Sequence, residues 1–395
     1  MEDLVNKPGQ GPRPTETVRG TAAVKGATSS DFSWKGRRVF LTGHTGFKGG
    51  WLALWLAKLG AEVCGYALDP STDPNLFTVA RVGSMIRDVR GDIRDGVQLE
   101  AAMRDFAPEV IFHLAAQPLV RHSYEDPIAT FETNVIGTAR VLDCVRRISS
   151  VRAVVSVTTD KCYENKEWVW PYRETDPLGG YDPYSSSKAC AEIVSAAYRQ
   201  SYFPPEKLGH SDYHQVAIAT ARAGNVIGGG DWSTDRLLPD LVRGFLSGKP
   251  VPIRQPNSVR PWQHVLEPLW GYIRLAEKLL THNPRYATAY NFGPLEDDAR
   301  PVSWIAERMT GFWGENASWV LDKAQGPHEA GYLKLDASRA RADLGWASQL
   351  RLEAALELLV QWYRAWQSGA DMHSFTLNQI GSYTSLLQSK EANSL

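Results

Sequence analysis

The sequence predicts an α/β fold, a doubly wound parallel sheet with a smaller α/β lobe over its carboxyl edge. Three observations predict it. Six short apolar runs alternate with helical patterns between residues 37 and 222. The first run ends in a glycine-rich turn that opens a helix. Beyond residue 222 the alternation loosens and glycine and proline punctuate it.

Arg37–Thr42 is the first run, and a helical pattern follows from Phe47 to Leu59. Glu62–Leu68 reads as the second strand, Met85–Gly91 as a weaker third and Val110–Leu114 as a clear fourth. Ala153–Thr159, rich in valine, is the fifth and Val216–Arg222 the sixth. Helical stretches at Gln98–Phe106, Ile128–Arg147 and Ser186–Tyr202 separate them. Strands alternating with helices imply a parallel sheet covered on both faces. Such sheets bind ligands at the carboxyl ends of their strands. In the second lobe, helices are expected at Leu237–Leu246, Val265–Leu280, Val302–Thr310 and Leu352–Gln367. The expected organisation is a flexible tail at 1–33, a cofactor-binding domain at 34–222, a substrate lobe at 223–370 and an extension at 371–395. Parts of 258–293 are expected to return to the first half.

A chain of 395 residues has ample material for such a core. Hydrophobic residues make up 43% and charged residues 22%, as in ordinary globular proteins. The net charge of -1 offers no field for nucleic acid or a membrane surface. No apolar run reaches the roughly 18 residues that span a bilayer, and the N-terminus lacks the apolar core of a signal peptide. Residues 1–33 are rich instead in Gly, Pro, Thr and Ser. Cys64, Cys144, Cys162 and Cys190 are widely spaced, without a C-x-x-C pattern, which predicts reduced thiols in the cytoplasm and no metal site. Most of the fourteen tryptophans are read as core and interface packing residues.

The glycines of Thr42-Gly43-His44-Thr45-Gly46-Phe47-Lys48-Gly49 follow the spacing G-x-x-G-x-x-G. Gly43 permits a tight turn, Gly46 lets the backbone approach a pyrophosphate, and Gly49 lets helix pack on strand. A turn without a ligand is the plainer reading of the glycines alone. Their place between first strand and helix favours a dinucleotide. Asp69 is the nearest acid to the end of strand two and lies slightly late, so NAD and NADP are not separated there. Asp92 and Ile93 follow strand three, where an aspartate can meet an adenine amino group. Ala115 follows strand four among small residues against which a flat cofactor can lie.

Tyr184 and Lys188 are four apart, on one helix face. A tyrosine near pKa 10 must fall by about three units, roughly 4 kcal/mol, to act as a base at neutral pH. A cation about 4 Å away in a desolvated cleft supplies energy of that order. Strand five ends in Thr158-Thr159-Asp160-Lys161, which adds hydroxyls, a carboxylate and an amine where the architecture places its site.

Together these motifs resemble the extended short-chain dehydrogenase/reductase superfamily over roughly residues 36–370. The stretches 42–51, 159–165 and 222–232 are similar to those of the CDP-glucose 4,6-dehydratases, which carry Asp-Lys after the threonine where TDP- and GDP-sugar dehydratases carry Asp-Glu. The resemblance implies a Rossmann-type domain that binds NAD through Gly43, Gly46, Phe47, Gly49, Asp92, Ile93 and Ala115. It implies CDP-glucose as substrate, a product for deoxysugar and lipopolysaccharide assembly, and a homodimer or homotetramer.

It also implies roles. Tyr184, with Lys188, takes the O4 proton while hydride leaves C4, and Thr159 holds O4. Asp160 protonates the departing C6 hydroxyl. Lys161 stands where relatives have the glutamate that removes the C5 proton, so either a neutral Lys161 does so, or it stays charged and another group acts. Arg222, Asn225 and Arg260 are expected to hold the substrate, Arg260 at its diphosphate. A nucleotide-sugar 4-epimerase is the alternative, since it uses the same sheet and Tyr/Lys pair without Asp160-Lys161. A dehydratase of another nucleotide-glucose is a second. A cofactor-binding regulator without turnover is a third, opposed by the intact Tyr184, Lys188 and Thr159.

Overall fold

The structure, a computed structural model, describes residues 32–281, 283–314, 317–322 and 331–392, of which Trp34 onward belongs to one compact unit. The tail expected at 1–33 lies outside the described residues except for its last two positions.

Seven parallel strands form the central sheet: β1 (Arg38–Thr42), β2 (Glu62–Ala67), β3 (Arg87–Arg90), β4 (Val110–His113), β5 (Ala153–Val157), β6 (Ala217–Ala223) and β7 (Ala289–Phe292). Their spatial order is β3-β2-β1-β4-β5-β6-β7. The order reverses between β1 and β4, which opens a crevice at their carboxyl ends. β5 and β6 are buried at every residue, hence their uninterrupted apolar and small composition. β3 is an edge strand with a charged Arg-Asp-Val-Arg sequence, half-exposed, which accounts for its weak signal. β7 is not among the six strands expected, though it lies within 258–293; it pairs with β6 at the edge of the main sheet.

The helix expected at Ile128–Arg147 is divided. Pro127–Phe131 and Gly137–Val145 are α-helical, and Glu132–Ile136 forms a π-turn between them. The Asn134 amide is clamped to the Gln117 backbone, accepting from its N–H at 2.8 Å and donating to its carbonyl at 3.0 Å. Thr138 donates to the Asn134 carbonyl at 2.7 Å and so intrudes on the ladder. The helix Pro183–Ser201 begins three residues before its expected start. Asp182 caps it, accepting from Ser185 N–H at 2.9 Å, and Pro183 fits the first helical position.

Beyond β6 the chain adds helices Leu237–Ser247 and Val302–Trp313, which pack on each other, helix Ser338–Leu344, which packs on Leu266–Leu279 and β7, and short paired strands, among them Val251–Ile253 with Trp319–Leu321 and Val259–Pro261 with Ala299–Pro301. Leu266–Leu279 packs on β5 and β6. The terminal extension is a helix, Met372–Ala392, which packs against Leu352–Gln367 and Phe47–Lys58. The Trp362 indole donates to Thr376 at 3.0 Å and holds it there. Trp51, Trp55, Trp346 and Trp362 are fully buried, as packing residues. All four cysteines are free. Among the described residues no helix is long and apolar enough to cross a membrane, and no acidic, histidine or cysteine cluster could hold a metal.

Candidate active site

The glycine turn follows β1 directly. Gly43 has φ +80°, and a Cβ there would stand 2.7 Å from the Ala115 nitrogen at the end of β4. At Gly49 a Cβ would meet the Gly43 carbonyl oxygen at 2.1 Å. Both positions therefore require glycine. The helix Phe47–Lys58 starts at Gly46 with no side-chain cap, so its first N–H groups and positive dipole end face the crevice. That cradle fits the diphosphate of a dinucleotide.

Asp92 follows β3, its carboxylate bound by the Arg94 guanidinium at 2.7 Å, which keeps its pKa low. Ile93 is core, packed where a Gly137 side chain would otherwise stand. Asp69 is 88% exposed with Arg90 3.5 Å away. His44 fills the space that Gly65 vacates and bonds to Asp88 at 2.7 Å, as a structural loop residue.

A cavity of about 330 Å³ opens beyond the carboxyl ends of β5 and β6. Phe47, Thr159, Asp160, Lys161, Tyr184, Asn225 and Arg260 all line it. Thr159 caps the short turn Asp160–Cys162 and donates to Asp160 Oδ1 at 3.0 Å. The other carboxylate oxygen, Asp160 Oδ2, is buried without a hydrogen-bond partner among the described residues. Burial raises the Asp160 pKa against the pull of Lys161, Thr159, Arg260 and Lys48. A buried acid with one oxygen free is equipped to carry a proton and release it. Gly224 makes room for it, since a Cβ there would lie 2.8 Å from Asp160 Oδ2 and 2.4 Å from the Pro261 ring.

Tyr184 departs from expectation. Burial pushes its pKa up to about 12, and its hydrogen bond with Thr159 and the nearby Arg236 offset only part of that. Lys188 is itself pushed down to about 8 by burial, partly offset by Glu192, and its ammonium donates to the Val157 carbonyl at 3.3 Å. Desolvation of the phenol outweighs its neighbouring cation here. Tyr184, Lys188 and Glu192 continue at four-residue spacing along one helix face, so Lys188 lies between a phenol and a carboxylate.

Arg222 is a correction. It does not line the cavity. Thr220 and Arg222 point to the same face of β6, and Arg222 Nη2 pairs with Glu192 at 2.8 Å, with both side chains at most 4% exposed. Its other terminal nitrogen donates to the Tyr163 hydroxyl at 2.8 Å. The guanidinium is committed to a buried carboxylate, so Arg222 is withdrawn as a substrate ligand.

Among the lining residues not singled out from the sequence are Lys48, Gly224 and Arg236. Lys48 was visible as a charge inside the glycine turn, and Gly224 as the glycine of Arg-Ala-Gly-Asn. Arg236, paired with Asp231 at 2.9 Å, carried no local signal.

The family model described as GDP-mannose 4,6 dehydratase matches residues 40–207. A CDP-glucose 4,6-dehydratase of Salmonella typhimurium is 51% identical over 352 residues, 89% of this chain and 97% of that protein. A probable dTDP-glucose 4,6-dehydratase of Sinorhizobium fredii is 26% identical over 82% of this chain and 92% of that protein. The solved dTDP-glucose 4,6-dehydratase of Streptomyces venezuelae with NAD and TYD bound superposes with a TM-score of 0.69 at 26% identity, over 84% of this chain and 98% of that one. A Thermotoga maritima UDP-glucose 4-epimerase, at 21% identity and a TM-score of 0.71, covers 84% of this chain and 99% of that one, and shares the fold. By its identity to the Salmonella protein along almost that protein's whole length, the chain belongs to the CDP-glucose 4,6-dehydratase family, NAD-dependent lyases of the extended short-chain dehydrogenase/reductase superfamily.

Proposed function

We propose that this chain converts CDP-glucose to CDP-4-dehydro-6-deoxyglucose and water, with NAD returned unchanged. The observation that carries this reading is Asp160, a buried acid whose pKa burial raises, beside Thr159 in the Tyr184 cavity. A 4-epimerase has no hydroxyl to expel and no need of such an acid. Bound NAD supplies the hydride acceptor for C4 and the donor for C6, together with a positively charged ring.

Thr159 and Tyr184 hold O4, and Tyr184 would take its proton once the positive ring of bound NAD has lowered the phenol from its raised pKa in the unliganded cavity. The C4 ketone makes the C5 proton acidic. Asp160 then gives its proton to the C6 hydroxyl as that group leaves. Asn225 and Arg260, on the same wall, bind the nucleotide diphosphate. Gly43, Gly46, Phe47, Gly49 and Ala115 hold the cofactor diphosphate, and Asp92 and the backbone of Ile93 its adenosine end.

Lys161, next to Asp160, acts in the elimination and little in C4 oxidation. Single turnover of Lys161→Ala checks this: C4 oxidation persists and exchange of the C5 hydrogen with solvent falls. Loss of C4 oxidation in the variant, or C5 exchange kept at the wild-type rate, refutes it.

Exposed Ile128, Ile136 and Ile193, on the helices that cover one side of the sheet, support assembly as a homodimer or homotetramer. The four free cysteines support a cytoplasmic setting.

Incubation with CDP-glucose and TDP-glucose separately, with and without added NAD, tests the reading by product mass. A CDP-linked product lighter by one water is expected. An unchanged mass with an inverted C4 refutes it in favour of an epimerase, and water loss from TDP-glucose alone refutes the choice of substrate.

A further inference from the structure

Resting on the dehydratase reading, we propose that Lys48 is a further catalytic residue, the neutral amine that takes the C5 proton of the 4-keto sugar. Lys48 is the second residue of the helix that begins at the glycine turn, and it lines the same cavity as Asp160, Lys161 and Tyr184. No hydrogen bond or ion pair engages its ammonium among the described residues.

Its surroundings disfavour a charge. Burial pushes its pKa down to about 7, and Lys188 and Arg236 press in the same direction against the weaker pull of Asp160. The helix N-terminus adds positive potential at the same point. A lysine matched to neutral pH is what general-base catalysis requires. Lys188, Arg236 and Asp160 act on it directly, and Lys161, Tyr184, Asp231, Asp235, Asp240, Arg121, Arg254 and Arg260 line the same cavity. Lys161 then remains charged beside Asp160, where it stabilises the enolate.

The step balances. The Lys48 lone pair takes the C5 proton, and the C5–H electrons become the C5–C6 double bond. The C6–O bond breaks, and its oxygen leaves as water with the proton from Asp160. When hydride returns to C6, the Lys48 ammonium gives its proton back to C5. Asp160 is recharged by the proton that Tyr184 took from O4, passed through solvent.

The test uses the NAD-loaded enzyme with CDP-glucose in D₂O and compares wild type, Lys48→Met and Lys48→Arg. Absorbance at the reduced-nicotinamide band reports C4 oxidation, deuterium at C5 reports proton removal, and calorimetric titration reports NAD affinity. Both variants are expected to keep C4 oxidation within about threefold while C5 exchange falls about 10²–10⁴-fold. The wild-type rise of exchange with pH near 7 disappears in both. Exchange retained by Lys48→Arg overturns the proposal, because an arginine cannot become neutral. Oxidation and exchange that fall together with NAD affinity overturn it too, since Lys48 would then be a cofactor ligand. Failure of the underlying reading is separate: wild-type enzyme would then release no water from CDP-glucose.

Discussion

Arg222→Met tests the reassignment of that arginine from substrate ligand to buried framework. In the native protein the guanidinium lies 2.8 Å from Glu192, whose carboxylate also accepts from the Thr158 and Thr220 hydroxyls. Burial opposes the charge on Glu192, and Arg222 with these hydrogen bonds overcomes it, so the Glu192 pKa lies below its ordinary 4.5. Methionine fills similar volume but leaves the carboxylate uncompensated. Breaking a buried pair from one side costs about 3–5 kcal/mol. Arg222→Met with Glu192→Gln removes both charges and leaves an acceptor for one threonine and an amide donor to the hydroxyl oxygen of the other, so it should recover most of that loss. Urea titration of the two variants, followed by tryptophan fluorescence, reads both values. The sign with pH follows from the lowered folded-state pKa: the contribution of Glu192 is present above 4.5 and is lost as pH falls below it. Substrate KM in the folded fraction should change little. A single variant within about 1 kcal/mol of wild type, with KM raised tenfold or more, would refute the assignment and return Arg222 to the substrate.

Gly224→Ala should drive the Asp160 carboxyl from its place, since the new methyl group meets Asp160 Oδ2 and the Pro261 ring. Water release should fall by about 10²–10⁴-fold with C4 oxidation preserved, read by mass and absorbance in single turnover. Gly49→Ala, with a Cβ 2.1 Å from the Gly43 carbonyl, should abolish NAD binding in calorimetric titration. Glu267 is buried, accepts from Gln349 and Leu350 N–H and the Tyr383 hydroxyl, and has its pKa raised from 4.5 to about 7 by that burial. A raised carboxyl pKa means the folded state holds the proton longer, so stability should fall as pH rises from 4.5 to about 7. Thermal melts across that window should show the fall in wild type and flatten in Glu267→Gln.

The parts that could be read without coordinates were those in which local sequence and fold agree. Valine-rich β5 and small-residue β6 are buried on both faces, so their composition announces them. β7 escaped because Asn291 interrupts its apolar run. Its amide is satisfied by the Tyr172 and Asp336 carbonyls at 2.9 and 3.1 Å and by the Tyr163 hydroxyl, partners remote in sequence. The π-turn escaped for the same reason, since Gln117 creates it from another element. The terminal helix is rich in Ser, Thr and Gln, and its buried face, Met372, Thr376, Ile380, Tyr383 and Leu387, mixes polar with apolar residues; Trp362 and Glu267 hold it in place.

The sequence by itself determined the glycine cradle, the one-face spacing of Tyr184 and Lys188 and the order Thr159-Asp160-Lys161. Each depends only on backbone freedom or on residue spacing within one element. The tertiary structure decided which charges reach the cavity and in what protonation state. Arg222 turned to Glu192 because the pleat of β6 aims it there, and Lys48 came to face Asp160 because the crevice folds the two together. The expected phenolate became a phenol with its pKa near 12, while Lys48 fell to about 7. Desolvation sets both values, and desolvation is a property of the closed cavity that no spacing along the chain can express.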